Sequence, residues 1–282
     1  MKIAIASGKG GTGKTTLSTN LASYIADSSK VVLVDIDVEE PNSGIFVNCN
    51  LVNREVKFKQ IPEWNNDKCN HHKVCKDVCN FNSIIALGNE IVIFPQLCHS
   101  CYACVDLCPA KALVMVPQRI GELSHYEQGN FSFVESRLDI GQEQAVPLIS
   151  QTINYVKEKF NSDYLKIYDS PPGTSCPMVE SIKNVNLVIL VTEPTPFGLY
   201  DLKLAYEVVQ YLEKKSVVVI NRWGIGNNDV EKYCNDNDIP IIAKIPNSKN
   251  IAELYSRGEL IYNKIPEFKY QIEKIANYLY KS

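Results

Sequence analysis

Cys98, Cys101, Cys104 and Cys108, closed by Pro109, carry the spacing C-x₂-C-x₂-C-x₃-C-P. That spacing suits thiolate ligands of [4Fe–4S] clusters. A second run lies upstream at Cys69, Cys75 and Cys79, with His72 standing where the second cysteine belongs. Seven of the ten cysteines fall between residues 69 and 108, and such clustering at ligand spacing points to metal. Cys49 and Cys234 lack ligand spacing, and incidental thiols are the expectation there.

Phosphate chemistry is written near the start. The run Ser7-Gly8-Lys9-Gly10-Gly11-Thr12-Gly13-Lys14-Thr15-Thr16 contains G-x-x-x-x-G-K-[ST]. Its glycines let backbone N–H groups wrap phosphates, and a helix expected over Thr16–Ala26 turns its positive dipole end toward them. Lys14 is the residue for the β- and γ-phosphates, and Thr15 offers a hydroxyl to Mg²⁺. Downstream, Asp169-Ser170-Pro171-Pro172-Gly173-Thr174-Ser175 follows an apolar run. An acid ending a strand is the Walker B arrangement, and Gly173 lets a loop follow the γ-phosphate.

These residues need strands to hold them. Ile3–Ala6, Val31–Val34, Tyr164–Tyr168, Val188–Val191 and Val217–Ile220 are short apolar or β-branched runs, Val31–Val34 in particular reading as a buried parallel strand. Functional residues of open α/β sheets sit at the carboxyl ends of strands. The expected fold class is α/β: a P-loop NTPase with a mostly parallel sheet flanked by helices, plus a small inserted α+β module. Turn-prone Pro62–Asp67 leads into the cysteine runs and Val114–Tyr126 returns from them. The expected boundaries are 1–56 and 126–282 for the ATPase portion and 57–125 for the insert. In the tail, Phe268, Ile272, Ile275, Ala276 and Leu279 suit a packed amphipathic helix without a strongly basic opposite face.

A net charge of −3 and a pI near 5.9 give no sign of a general nucleic-acid binder. No apolar run reaches membrane-spanning length. A glycine loop directly after Lys2–Ala6 leaves no room for a signal peptide. The expectation is a cytoplasmic protein without membrane association, in a reducing compartment that disfavours disulfides.

The run Lys9–Thr16 resembles the deviant Walker motif of the MinD/ParA/Mrp and nitrogenase-iron-protein group. Asp35–Asn42, Asp169–Ser175, Val188–Gly198 with Asp201, and Asn221 with Arg222 match the same group. The cysteine runs make the chain similar to members of this superfamily that carry an inserted two-cluster ferredoxin domain. The resemblance covers nearly the whole chain. It implies an ATP-promoted homodimer in which Lys9 crosses to the partner's nucleotide. Asp37 would contact the Mg²⁺ shell or orient the attacking water. Asn221 would read the adenine base, with Arg222 beside it, and Pro246 would close the pocket.

Ferredoxin pairing implies one complete site from Cys79, Cys98, Cys101 and Cys104. The other would comprise Cys69, His72, Cys75 and Cys108, holding a histidine-ligated [4Fe–4S] cluster, a [3Fe–4S] cluster, zinc or no metal. His71 has the wrong spacing and is expected at the surface. Cys176 stands seven residues after Asp169, where the nitrogenase iron protein has a cluster cysteine, so a bridging metal and a structural thiol are both open. The implied function is ATP binding and hydrolysis coupled to the clusters, serving electron transfer to a redox partner or delivery of a metallocluster to an acceptor. The alternatives are a MinD/ParA-like positioning ATPase and a nucleotide-dependent scaffold with structural metal.

Overall fold

A computed structural model describes residues 1–281. The strands are β1 (Lys2–Ala6), β2 (Val31–Asp35), β3 (Asn50–Trp64), β4 (Ile84–Leu87), β5 (Glu90–Ile93), β6 (Leu113–Gln128), β7 (Phe131–Leu138), β8 (Leu165–Asp169), β9 (Leu187–Thr192), β10 (Ser216–Trp223) and β11 (Ile241–Pro246). The helices are α1 (Lys14–Ala26), α2 (Val74–Asp77), α3 (Ala103–Asp106), α4 (Ala145–Lys159), α5 (Cys176–Ile182), α6 (Pro196–Tyr211), α7 (Asp229–Asp236), α8 (Lys249–Ser256) and α9 (Pro266–Lys281).

The main sheet runs β11-β10-β9-β1-β8-β2-β7-β6-β3. Every pairing from β11 through to β7 is parallel. Strands of this kind are covered on both faces, which is why β2 and β9 are apolar almost throughout and wholly buried. A two-residue turn at Gly129–Asn130, with Gly129 at φ 59°, joins β6 to β7.

The chain divides into two compact units. The first comprises Met1–Glu55, Leu123–Arg137 and the chain from Ile149 onward. Its core joins Ile3 and Ile5 of β1, Leu17 and Leu21 of α1, Leu33 of β2 and Ile189 of β9. The stripe of α9 belongs to the same core: Phe268, Ile272, Ile275, Ala276 and Leu279 are all buried. The tail is therefore a packed helix, as its spacing leads one to expect, and Ser282 lies outside the described residues.

The second unit comprises Val56–Glu122 and Leu138–Leu148. The latter segment is one that the sequence reading leaves with the ATPase portion. Its attachment is specific: the Arg119 guanidinium forks onto Asp139, and the Asp139 amide donates to the Ile120 carbonyl at 3.0 Å. The core here is small and built partly from thiols, with Cys75 and Cys104 packed among Ile84, Ile91 and Leu113.

This unit repeats itself at a period of 29 residues, the separation of Cys69 from Cys98. A 3₁₀ turn at Asn66–Lys68 recurs at Pro95–Leu97, and α2 recurs as α3. The left-handed residues recur too: His71 with Ser100, Lys73 with Tyr102, Asn82 with Lys111. Nine positive-φ residues other than glycine occur among the described residues, and six of them are these three pairs. Such backbone costs energy and persists where the surroundings dictate it.

Candidate functional site

The carboxyl ends of five parallel strands bring the candidate nucleotide residues together. β1 runs into the glycine loop, and α1 begins at Lys14 after Gly13, which adopts φ 95°. A Cβ on Gly13 would lie 2.3 Å from the Asn221 side chain, and one on Gly8 would lie 2.1 Å from the Asp201 carbonyl oxygen. Neither position tolerates a side chain. The end of β10 bonds directly to the loop, with Asn221 Nδ2 donating to the Thr12 carbonyl at 2.8 Å.

A cavity of about 380 Å³ opens beside this loop, lined by Gly10, Gly11, Gly13, Lys14, Thr15 and Thr16. Asp37, Asn221, Arg222 and Pro246 line the same cavity. A volume of this order is that of a small-molecule pocket. Its far wall comes from Ser248, Ile251, Ala252 and Tyr255, which share one face of α8 or its N-terminal edge. Sequence reasoning missed this face, which carries no motif beyond its helical spacing. Tyr255 stacks on Phe46 at 4.9 Å between centroids.

Lys14 is buried, and its ammonium donates to the Ser7 hydroxyl at 3.0 Å. Burial pulls its pKa down, while the carboxylates of Asp169, Asp37 and Asp35 hold it up. Asp35 and Asp169 are a buried acid pair. Burial, with Asp169 adding repulsion, pushes the Asp35 carboxyl up to about 8, against the hydrogen bonds from Ser43 and the Asp37 amide. Burial likewise raises Asp169, opposed by Lys14 and by the hydroxyls of Thr15, Ser18 and Ser43. Asp37 is raised by burial to about 6, with Lys14 opposing.

Ser18 and Ser43, neither singled out by the motifs, donate to Asp169 Oδ2 at 3.0 and 3.1 Å. Asp169 Oδ1 is buried without a hydrogen-bond partner. Gly173, at φ 92°, donates its amide to the Ser7 carbonyl at 3.1 Å, joining the loop after β8 to the glycine loop.

Lys9 points away from this acid pair. Its ammonium lies 3.5 Å from Glu193 and 3.9 Å from Asp201, and it is one-third exposed. Glu193 is shared, since the Arg222 guanidinium donates to its other oxygen at 2.7 Å.

In the second unit, Cys79 of the first run and Cys98, Cys101 and Cys104 of the second line one pocket. Phe81 and His99 line it as well, stacked with ring centroids 3.8 Å apart. Burial pushes the Cys104 thiol up to about 11, with repulsion from Cys98, Cys101 and Cys75 adding to it. Burial also raises Cys75, whose interacting thiols are Cys108 and Cys69. His72 is exposed, as is Cys101 at the corresponding place in the second run. His71, expected at the surface, is half-buried, and its Nδ1 is buried without a hydrogen-bond partner. Among the described residues, no three His, Cys, Asp or Glu side chains converge as ligands of a single ion do.

The other cysteines scatter. Cys176 opens α5 and is exposed, Cys49 is half-buried, and Cys234 is fully buried in α7. No helix among the described residues is long and apolar enough to cross a membrane.

Comparison with known proteins places the nucleotide half. An uncharacterized protein of Methanocaldococcus jannaschii is 33% identical over 284 residues, covering 99% of this chain and 97% of its own. The septum site-determining protein MinD of Pyrococcus horikoshii, solved with Mg-ADP, is 20% identical with a TM-score of 0.60, covering 99% of this chain and 95% of that one. The MinD cell division protein of Aquifex aeolicus is 19% identical with a TM-score of 0.58, covering 100% and 97%. At such identities these two structures speak for the fold. A family model matches residues 3–261, and with the strand-end geometry above it makes this chain a member of the CobQ/CobB/MinD/ParA nucleotide-binding domain family, which includes the MinD- and ParA-type P-loop ATPases.

Proposed function

We propose that the chain binds and hydrolyses ATP as a nucleotide-promoted homodimer, and that its nucleotide state is coupled to an iron–sulfur unit between residues 56 and 122. The observation that carries the ATPase reading is the cavity at the strand ends, which Lys14, Thr15, Asp37 and Asn221 line together. Lys14 neutralises the β- and γ-phosphates as a point charge. Mg²⁺ would sit among Thr15, Asp37 and the unused oxygen of Asp169, and would relieve the repulsion within the acid pair. Asp37 faces the same space and orients the water. Lys9, leaving Glu193 and Asp201, supplies the second cation to the partner's nucleotide.

The iron–sulfur reading rests on the pocket shared by Cys79, Cys98, Cys101 and Cys104. Burial, with repulsion from neighbouring thiols, raises Cys104, and a cation beside it would make its thiolate tenable, so this donor set fits a metal group. Four thiol donors at ferredoxin spacing fit a [4Fe–4S] cluster by number and order, and a zinc ion by number alone. When bound, a cluster supplies a one-electron centre; Cys69, His72, Cys75 and Cys108 would hold the second. Electron transfer to a protein partner and delivery of a cluster to an acceptor both use such a unit.

The comparisons favour a second reading, a MinD/ParA-like positioning ATPase, because the family model is CobQ/CobB/MinD/ParA and the similar solved structures include MinD proteins. Against membrane targeting by the tail stands α9, whose apolar stripe is spent on the core. Anaerobic purification with iron, sulfide and zinc analysis, and ATP turnover and EPR with and without MgATP, decides between them. Stoichiometric iron and sulfide with a nucleotide-dependent signal supports the coupled reading. Turnover without iron leaves the positioning ATPase.

A further inference from the structure

The 29-residue repeat makes the two cysteine sites comparable position by position, and the comparison exposes an asymmetry. In each repeat the last cysteine receives a backbone amide from four residues on. Ser83 N donates to Cys79 Sγ at 3.3 Å, and Ala112 N donates to Cys108 Sγ at 3.4 Å. The first also has a hydroxyl beside it. The Ser83 hydroxyl lies 3.1 Å from Cys79 Sγ, whereas Ala112 at the matching position has no hydroxyl to give. With Cys79 as thiolate, Ser83 can only be the donor. Ser83 is buried, so water does not compete for it.

Cys98, of the same site, has a buried cation beside it. Lys59, only 4% exposed, donates its ammonium to the carbonyls of Cys98 at 3.2 Å and Pro95 at 2.8 Å, and to Gln144 Oε1 at 3.1 Å. A lysine is buried in this way only when its protons are taken up, and here all three acceptors are neutral. Its charge is therefore uncompensated by any carboxylate among these partners and acts on the pocket next to it.

We propose that Ser83 and Lys59 are potential-setting residues that raise the reduction potential of the Cys79, Cys98, Cys101 and Cys104 site, bringing it toward that of the site containing His72. This rests on the iron–sulfur reading above. Reduction adds an electron, and the added negative charge is stabilised by a hydrogen bond to a ligating sulfur and by a nearby cation. His72 achieves the same at the other site by replacing an anionic ligand with a neutral one. The two sites are thus raised by different means. Levelled potentials let an electron cross between them with little loss in either direction.

The test is an anaerobic redox titration of the full-length holoprotein, followed by EPR, with iron and sulfide counted in every sample. The variants are Ser83→Ala, Ser83→Thr, Lys59→Gln, Ala112→Ser and His72→Cys. The signal that His72→Cys leaves in place identifies the all-cysteine site. Ser83→Ala should lower that site's potential by about fivefold in the reduced-to-oxidised ratio, about 40 mV for one electron. Ser83→Thr, which keeps the hydroxyl, should restore it. Lys59→Gln should lower it by about tenfold, ~59 mV. Ala112→Ser should raise the other site. Full iron content with unmoved potentials in Ser83→Ala and Lys59→Gln overturns this inference and leaves the iron–sulfur reading standing. A wild-type protein that takes up no iron overturns both.

Discussion

The Ser43 hydroxyl donates to Asp169 Oδ2 at 3.1 Å, while the Ser43 amide donates to Asp35 Oδ2 at 2.9 Å. One residue in the loop after β2 therefore donates to both members of a buried acid pair. Removing a donor to a buried carboxylate leaves that group under-satisfied, at about 1–3 kcal/mol. Ser43→Ala should lower the unfolding free energy by that order in chemical denaturation. It should also slow ATP turnover, because the loop carrying Asp37 loses its tie to Asp169. Ser43→Thr, keeping the hydroxyl, should lose less of both.

The acid pair sets a pH dependence. Asp35 rises from 3.8 to about 8 on folding, so between those values the folded state holds a proton that the unfolded state has released. Stability then falls as pH rises through this window and levels above the folded pKa. The nucleotide-free, Mg²⁺-free protein should melt lower at pH 8 than at pH 6. Mg-ADP should stabilise it more at the higher pH, because the cation takes over the role of the proton. Thermal melts at both pH values with and without Mg-ADP measure this, and a flat apo profile would sink it.

Lys14→Ala should abolish ATP binding and turnover. The ammonium is buried beside Ser7 and faces three carboxylates, and Lys14 is the one lysine among the cavity-lining residues. Fluorescent-nucleotide titration and phosphate release test it; retained affinity and turnover would remove Lys14 from the site.

Lys9→Ala should separate binding from assembly. Lys9 rests between Glu193 and Asp201, outside the group of residues that line the cavity. Nucleotide binding by the monomer should change little, whereas ATP-dependent dimerisation and turnover should drop by an order of magnitude or more. Light scattering with ATP and Mg²⁺, run beside turnover, provides the readout. Normal turnover by a strictly monomeric protein would contradict the role given to Lys9.

His72→Cys should make the two cysteine sites more alike in ligand set and in iron retention, while lowering the potential of its own site, since a neutral imidazole gives way to a thiolate. The wild-type His72 site should lose iron first on exposure to oxygen or chelator, and the variant should lose this difference. Unchanged iron count and loss order would show that His72 is no ligand. His71, with its buried unpartnered Nδ1, would then be the next residue to substitute.

Much of the nucleotide site was legible because its signals are local. The glycine loop, the acid ending β8 and the apolar runs of β1, β2 and β9 each declare themselves within about ten residues. The rest depends on contacts that no short window contains. Ser18 and Ser43 meet Asp169 across 151 and 126 residues, and a serine in either place reads as ordinary. Tyr255 reaches the cavity only because β11 delivers α8 beside it. Leu138–Leu148 joins the second unit through Arg119 and Asp139, a pairing with no periodic trace. The cysteine spacing was plain, yet the extent of the 29-residue duplication needs the recurring turns, helices and backbone angles, since left-handed residues as unlike as Lys73 and Tyr102 share a place.

The sharing of Cys79 with the second run has a consequence for how the protein can be made. The first repeat lends its last thiol to a pocket whose other thiols are translated 19 to 25 residues later. Neither half is a self-sufficient module. A chain interrupted between Leu87 and Glu90, in the turn of the β4–β5 hairpin, would strand three thiols on one side and one on the other. The hairpin is thus a clasp whose length fixes whether the halves can meet. Insertion at Gly88 should be judged by whether both sites still close, and not by the exposure of the turn.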